Sequence, residues 1–269
     1  MEPVRPNPLI TLTTDFGLED HYAGTMKGVI LARCPQATVI DISHNVPSFS
    51  VWSGAYTIDQ AAPYFPPGTI HVVVIDPGVG TDRKPILVQA LRQYFIAPDN
   101  GVLSLVLRSE TGHAIIREIA NRDLFLPRSS STFHGRDVFA PVAAALATGT
   151  VQTERVGPLL NHMEVLDWIA ACPSGPQQWT GAVLSIDHFG NVITNFKVSE
   201  IPSLSSGSFE LQTSKQVVST LRATFGGAPA GSCFAFLGSS GYIELGINQG
   251  NAAQALQLSP GNSLLLRLR

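Results

Sequence analysis

The chain has 269 residues, of which 44% are hydrophobic and 14% charged, with a net charge of −3. That is enough apolar material for a sizeable core in one or two domains. It excludes a basic field able to neutralise a nucleic-acid backbone, and no apolar run approaches the ~20 residues of a membrane span, so neither nucleic acid nor membrane is expected as a partner.

A chain this poor in charge often hides surface in an oligomer. Cys34, Cys172 and Cys233 are far apart and odd in number, and no CxxC pair occurs. A disulfide framework and a thiolate zinc site are therefore not expected, and a reducing cytoplasm is. MEPVRPNPLI, at the start of the sequence, has no apolar core of the kind a signal peptide needs.

The first half alternates strand-like and helix-like pieces. LITLTTDFG (Leu9 to Gly17) predicts a strand and turn; Asp20 to Cys34 has helical apolar spacing with Asp20 and His21 as cap and first turn, stopped by Pro35. ATVIDIS is a second strand and SVWSGAYTIDQAAPYF a second helix. TIHVVVID (Thr69 to Asp76) is apolar on both faces, as a central parallel strand is. ILVQAL and QYFIAP predict strands, GVLSLVLRS a helix, and DVFAPVAAALATG a helix with a glycine stop. This order predicts an α/β sandwich-type domain with a mostly parallel sheet.

From about Trp179 the pieces are short and strand-like, separated by turn-rich patches such as SLSSGS (Ser203 to Ser208) and FGGAPAGS. They predict a smaller all-β, barrel-like domain. CPSGPQQ (Cys172 to Gln178) reads as the linker, giving domains at 1–172 and 179–269 joined through about 173–178.

Ligands of open α/β sheets bind outside the carboxyl ends of the strands. Asp15, Asp41, His44 and Asp76 fall at such ends, and the turn after Asp76 returns Arg83 toward the same edge. His134 precedes the last helix of this half, and Gly135 beside it allows close approach of a ligand. Any single strand-end Asp can equally be a cap or turn residue. Asp41 is expected to be structural, Arg136 and Asp137 an ion pair and cap at a helix start, and His71, inside a strand, a core or interface histidine. Phosphate-loop, GxGxxG, HExxH and GxSxG signatures are absent. Metal-assisted hydrolysis remains open, although no His pair has i,i+4 spacing.

TTDFG, IDISHNVP, VVVIDPGVGTDRK, APDNG, FHGRDVFAPVAA, IDHFGNVITNF and SSGYIELGINQGNAA occur in this order. Together they resemble the S-adenosylmethionine hydroxide adenosyltransferases, adenosine-forming hydrolases related to fluorinase and chlorinase. The resemblance runs from Leu9 to about Leu258. It implies that water or hydroxide attacks C5′ of S-adenosylmethionine, giving adenosine and L-methionine. It implies a homotrimer with sites between one subunit's N-terminal domain and its neighbour's C-terminal domain, and no metal or redox cofactor. It assigns a catalytic trio to Asp76, Arg83 and His134, leaving open whether Asp76 or His134 takes the proton. It places Asp15 on the ribose hydroxyls, Phe49 against the ribose or adenine, and Phe189 against adenine. Asp187 and Asn191 fall on the methionine amino group and neighbouring polar atoms, and Ser239 and Ser240 on its carboxylate. HFGN is also good turn chemistry, so that segment is expected to serve as a hairpin too.

The halogenating relatives resemble this chain but have tyrosines where it has Asp76 and His134, and the fluorinase has a serine where it has Gly135. They also carry an extra loop for which there is little room between Gln89 and Gly101. An anionic Asp76 would repel halide, so hydrolysis is expected. A chloride-using adenosyltransferase and a non-catalytic sensor of adenosine or S-adenosylmethionine are the alternatives.

Overall fold

The computed structural model describes residues 7–110, 113–128, 130–167, 169–206 and 208–269. The first six residues of the MEPVRPNPLI segment, and Gly207 of the SLSSGS patch, lie outside the described residues. The chain divides into two compact units, one ending at Leu166 and the other beginning at Asp167.

The first unit contains β1 (Leu9–Thr14), α1 (Tyr22–Arg33), β2 (Thr38–Ser43), α2 (Val51–Ala61), β3 (Ile70–Val74), β4 (Pro85–Ala90), β5 (Gln93–Pro98), α3 (Ser104–Ser109), β6 (Ile115–Glu118), α4 (Ala140–Ala147) and β7 (Leu159–Leu160). Its seven strands form one sheet in the order β2-β1-β3-β5-β4-β6-β7. The contiguous strands β2, β1, β3 and β5 pair in parallel, and the other pairings are antiparallel.

Side-chain alternation on β3 explains the layers. Ile70, Val72 and Val74 pack with α1 through Met26 and Ile30, with α4 through Val142, and with Phe139 just ahead of α4. Val73, on the opposite face, packs with α2 and α3 through Ile58 and Val106. A strand that must bury both faces needs apolar residues at every position, which is why IHVVV is unbroken except for His71. Strands β4 and β5 join through only Leu91 and Arg92, both with positive φ (53° and 61°), as a tight hairpin of this hand requires.

Two helix starts differ from expectation. α1 begins at Tyr22 with His21 at the cap and no side-chain capping bond, so Asp20 does not cap it. A π-helical turn, Gly135–Phe139, leads into α4, placing Arg136 and Asp137 inside the turn rather than ahead of the helix. Gly149, the expected stop, has φ 70°.

The second unit contains β8 (Cys172–Gly175), β9 (Gln178–Ile186), β10 (Val192–Lys197), β11 (Phe209–Gln212), β12 (Val217–Val218), β13 (Cys233–Leu237), β14 (Tyr242–Ile247), α5 (Ala252–Leu256) and β15 (Ser263–Leu268). The strands run antiparallel in the order β12-β11-β15-β9-β10-β14-β13, with β8 on β9. The Ala235 amide of β13 donates to Thr220 O at 2.8 Å, and the Arg222 amide to Ala235 O at 2.9 Å, so the sheet's two ends nearly close into a barrel. The core inside includes Val183, Phe196, Ile243, Leu245 and Leu266.

Cys172 to Gln178, expected as a linker, instead carries β8 and its turn into β9. Every β8 residue is exposed and small or turn-forming. The pattern therefore lacks the apolar alternation that marks a strand, although backbone pairing with β9 fixes it.

His71 is fully buried. Its Nδ1 lies 2.7 Å from Thr11 Oγ1, and its ring stacks on Phe95 at 4.8 Å. It is a core histidine, and burial pushes its pKa down to about 4. In the unfolded chain it takes a proton near 6.5, so between these values the unfolded state binds more protons and stability falls as pH drops. A shift of about 2.5 units is worth about 3 kcal/mol. Denaturant unfolding at pH 7 and pH 4 is expected to show the parent losing about that much more stability on acidification than His71→Gln. Equal losses in the two proteins would contradict it.

Candidate active site

Strands β1, β2 and β3 end side by side. Asp15 follows β1 at once, His44 follows β2, and Asp76 lies just past β3. The end of β3 is fixed by Asn100, whose Nδ2 donates to Ile75 O at 2.8 Å, while its Oδ1 accepts from the Val102 amide at 3.2 Å. This accounts for the Asn in APDNG.

Beyond Asp76 the chain bends through Pro77–Gly80 and brings Arg83 back. Gly80 has φ 81°, and a Cβ there would lie 2.5 Å from Ser131 O, so only glycine lets the loop pack there. Arg83 Nε donates to Asp76 Oδ1 at 3.0 Å, and Nη2 donates to Oδ2, giving a two-pronged ion pair. Its side chains are only 8% and 6% exposed. The Arg83 guanidinium lies 5.5 Å from the centre of the Phe139 ring.

Arg83 Nη2 also lies 2.7 Å from His134 Nδ1. A guanidinium can only donate, so Nδ1 must accept, and the proton of the neutral ring sits on Nε2. Burial first, and then the Arg83 charge, hold the His134 pKa below its ordinary value, with Asp76 and Asp137 opposing.

Asp76 and His134 line a cavity of about 670 Å³ together with Asp15, Phe49, Ser48 and Thr132. Asp15 Oδ2 accepts from the Phe49 amide at 2.8 Å. Burial raises the Asp15 pKa, the Phe49 amide opposes the rise, and the Asp76 charge adds to it. Phe49 is 72% exposed and has φ 65°. A non-glycine residue held in the left-handed region costs about 1 kcal/mol or more. The Asp15 carboxylate stabilises that backbone and so presents the Phe49 ring at the cavity. The opposite wall is a cluster of Phe16, Tyr22 and Phe133, with ring centres 5.2 to 5.9 Å apart. Sequence reasoning missed this wall, because its residues read as ordinary core positions of a turn and two helix starts.

In the second unit, Asp187 folds the β9–β10 turn. Its Oδ1 accepts from the amides of Phe189 (2.9 Å) and Asn191 (2.8 Å), and its Oδ2 from Asn191 Nδ2 (2.7 Å). Gly190 in this turn has φ 85° and abuts Asn251, the α5 cap. Phe189 is thereby held at the tip, 75% exposed. With Asn191, Phe225, Ile247 and Gln249 it lines a second cavity of about 450 Å³. Phe225 and Gln249 had no signal in the sequence beyond lying in turn-rich patches. Ser239 and Ser240 occupy the β13–β14 turn and line neither cavity.

The remaining strand-end candidates are structural. Asp41 binds Lys27 Nζ at 2.5 Å and His44 Nε2 at 3.0 Å, and His44 Nδ1 meets Thr14 Oγ1 at 2.8 Å. Arg136 pairs with buried Asp137, Nε to Oδ1 at 2.6 Å, and Asp137 also accepts from the Ser130 amide. Among the described residues no group of three or more His, Cys, Asp or Glu side chains is placed to hold a metal ion.

Residues 10–157 match the family model described as SAM hydroxide adenosyltransferase N-terminal domain, and residues 181–265 match that of the C-terminal domain. The chain is 35% identical over 260 residues to a Salinispora tropica protein named (R)-S-adenosyl-L-methionine hydrolase, covering 96% of this chain and 97% of that one. A Thermus thermophilus protein of the same name is 37% identical, covering 92% and 95%. A Nocardia brasiliensis protein named fluorinase is 28% identical, covering 97% of each. A crystal structure of an uncharacterized conserved protein from Thermotoga maritima superposes with a TM-score of 0.85 at 39% identity, covering 96% of this chain and 99% of that one. With both family models matched in order along one chain, and with hydrolase-named relatives spanning nearly all of it, this chain belongs to the SAM hydroxide adenosyltransferase family.

Proposed function

We propose that this chain hydrolyses S-adenosyl-L-methionine to adenosine and L-methionine by in-line attack of water on C5′. The observation that carries the reading is the buried Asp76–Arg83–His134 set at the edge of a cavity lined by Asp15 and Phe49. The names of the relatives at 35–40% identity support it.

The chemistry asks little beyond placement. The C5′–S bond breaks with its electron pair on sulfur, and a sulfonium leaves as a neutral thioether, so no general acid is needed. The new bond joins the water oxygen to C5′, and the water must lose a proton. His134 already accepts at Nδ1 and carries its proton on Nε2, so it serves as a donor that orients the water. Asp76 is the proton acceptor, and Arg83 fixes its two oxygens and stabilises hydroxide character. Holding the water in line behind C5′ supplies the rest.

Asp15 accepts from the ribose hydroxyls through Oδ1, since Oδ2 is taken by Phe49, whose ring covers the nucleoside. Phe189 packs on adenine. Asp187 and Asn191 serve the methionine amino group and its surroundings, and Ser239 and Ser240 its carboxylate. The two units contribute to one substrate across a subunit boundary in a homotrimer, as the family resemblance implies. The reaction uses no metal or redox cofactor, and three free thiols fit a cytoplasmic setting.

Purified protein given S-adenosylmethionine is expected to release adenosine and methionine in equal amounts, unaffected by a chelator. In molar chloride it should form no 5′-chloro-5′-deoxyadenosine. Chlorinated product would favour the halide-using reading, and tight binding without turnover the sensor.

Asp76→Asn is expected to lower kcat by roughly 10²- to 10⁴-fold while leaving S-adenosylmethionine binding near that of the parent. A variant with normal kcat would remove Asp76 from its role. Because the His134 pKa lies below its ordinary value, a rate limited by neutral His134 should show an acid limb whose midpoint falls below that of an ordinary histidine. His134→Gln should lack that acid limb in kcat.

A further inference from the structure

His44 lies just past β2 and is only 3% exposed. Strands β1 and β2 pair in register from Leu9 and Thr38 to Leu12 and Asp41, but Thr13 then pairs with Ser43. Ile42 is therefore an extra residue, a bulge in β2. Residues three apart on a regular strand face opposite sides. The extra residue offsets that alternation, so Asp41 and His44 meet, with Nε2 3.0 Å from Asp41 Oδ1. Bulges re-aim side chains in this way beside functional sites.

From this contact the hydrogen bonds run one way. Lys27 Nζ donates to Asp41 Oδ2 at 2.5 Å. A carboxylate only accepts, so a proton sits on His44 Nε2. In the neutral ring Nδ1 then accepts, and the Thr14 hydroxyl, 2.8 Å away, donates to it. Thr14 Oγ1 in turn accepts from the Phe16 amide at 3.3 Å. Two backbone bonds join the same loops: the Gly17 amide donates to His44 O at 2.7 Å, and the Val46 amide to Thr14 O at 3.3 Å. Asp15 thus sits between Thr14, held by the His44 ring, and Gly17, held by the His44 carbonyl. The Phe49 amide on Asp15 Oδ2 adds a further fixed point. Asp15 lines the nucleoside cavity, whereas Thr14, Lys27, Asp41 and His44 do not.

We propose that His44 is a positioning residue for nucleoside recognition: it clamps both sides of Asp15, and the preference of the cavity for a ribose over a deoxyribose depends on the chain Lys27–Asp41–His44–Thr14. This rests on the function proposed above, in which Asp15 accepts from the ribose hydroxyls, and it names the residues that make that acceptor selective. Hydrogen bonds weaken steeply with angle. A slight turn of the Asp15 backbone therefore loses the hydroxyls, while the apolar grip of the aromatic wall on the base and sugar, which needs no such alignment, is kept.

The test is calorimetric titration of the full-length protein with adenosine and with 2′,3′-dideoxyadenosine, which lacks both ribose hydroxyls. The parent is expected to prefer adenosine by about tenfold or more, as hydrogen bonds to a charged acceptor allow. His44→Leu and Thr14→Val should each lose most of that preference while binding the dideoxynucleoside as the parent does. In an Asp15→Asn background, where the acceptor is already impaired, neither substitution should change the ratio further. A loss of affinity for both nucleosides alike, in either background, would mark a merely structural role and overturn the proposal. So would a preference retained in Thr14→Val, which removes only a hydroxyl and decides the matter should His44→Leu fail to fold. A parent that hydrolyses S-adenosylmethionine but shows no preference between the nucleosides sinks only this proposal; one that neither hydrolyses it nor binds adenosine sinks the function beneath it.

Discussion

The first unit is organised around one buried ion pair. Asp76 and Arg83 are almost completely withdrawn from water, and removing one partner of such a pair costs about 3–5 kcal/mol. The surrounding structure keeps the pair matched. Gly80 lets the loop turn against Ser131, Asn100 pins the end of β3, Phe139 lies under the guanidinium, and His134 takes the remaining lobe of Nη2. Two of these have a second duty in the fold: Asn100 accepts from the Val102 amide, and Phe139 belongs to the core.

That constraint also sets the direction of the hydrogen bonds. Arginine donates and never accepts, which puts the proton of a neutral His134 ring on Nε2. A tyrosine in place of Asp76 would have neither the charge to hold Arg83 nor, as a neutral phenol, the basicity to take a proton from water.

Much of this was legible in the sequence because it depends on local rules. The apolar run of β3 named the central strand, and strand-end acids with a returning arginine pointed to the sheet edge where Asp76, Arg83 and His134 meet beside a cavity. Cys172 to Gln178 was misread because an exposed edge strand made of Pro, Ser and Gly has the composition of a linker. The cap of α1 was misplaced by one residue, since Asp20 is by composition a better capping residue than His21. The Phe16, Tyr22 and Phe133 wall was invisible because an aromatic lining a cavity and one filling a core look alike until the chain is folded.

The account stands or falls on which atom the nucleophile attacks and where it comes from. The most direct measurement is turnover of S-adenosylmethionine in oxygen-18 water followed by mass spectrometry of both products. Attack of solvent on C5′ places one heavy oxygen in the 5′-hydroxyl of adenosine and none in methionine. Unlabelled adenosine, or label in the methionine-derived product instead, would contradict in-line hydrolysis at C5′.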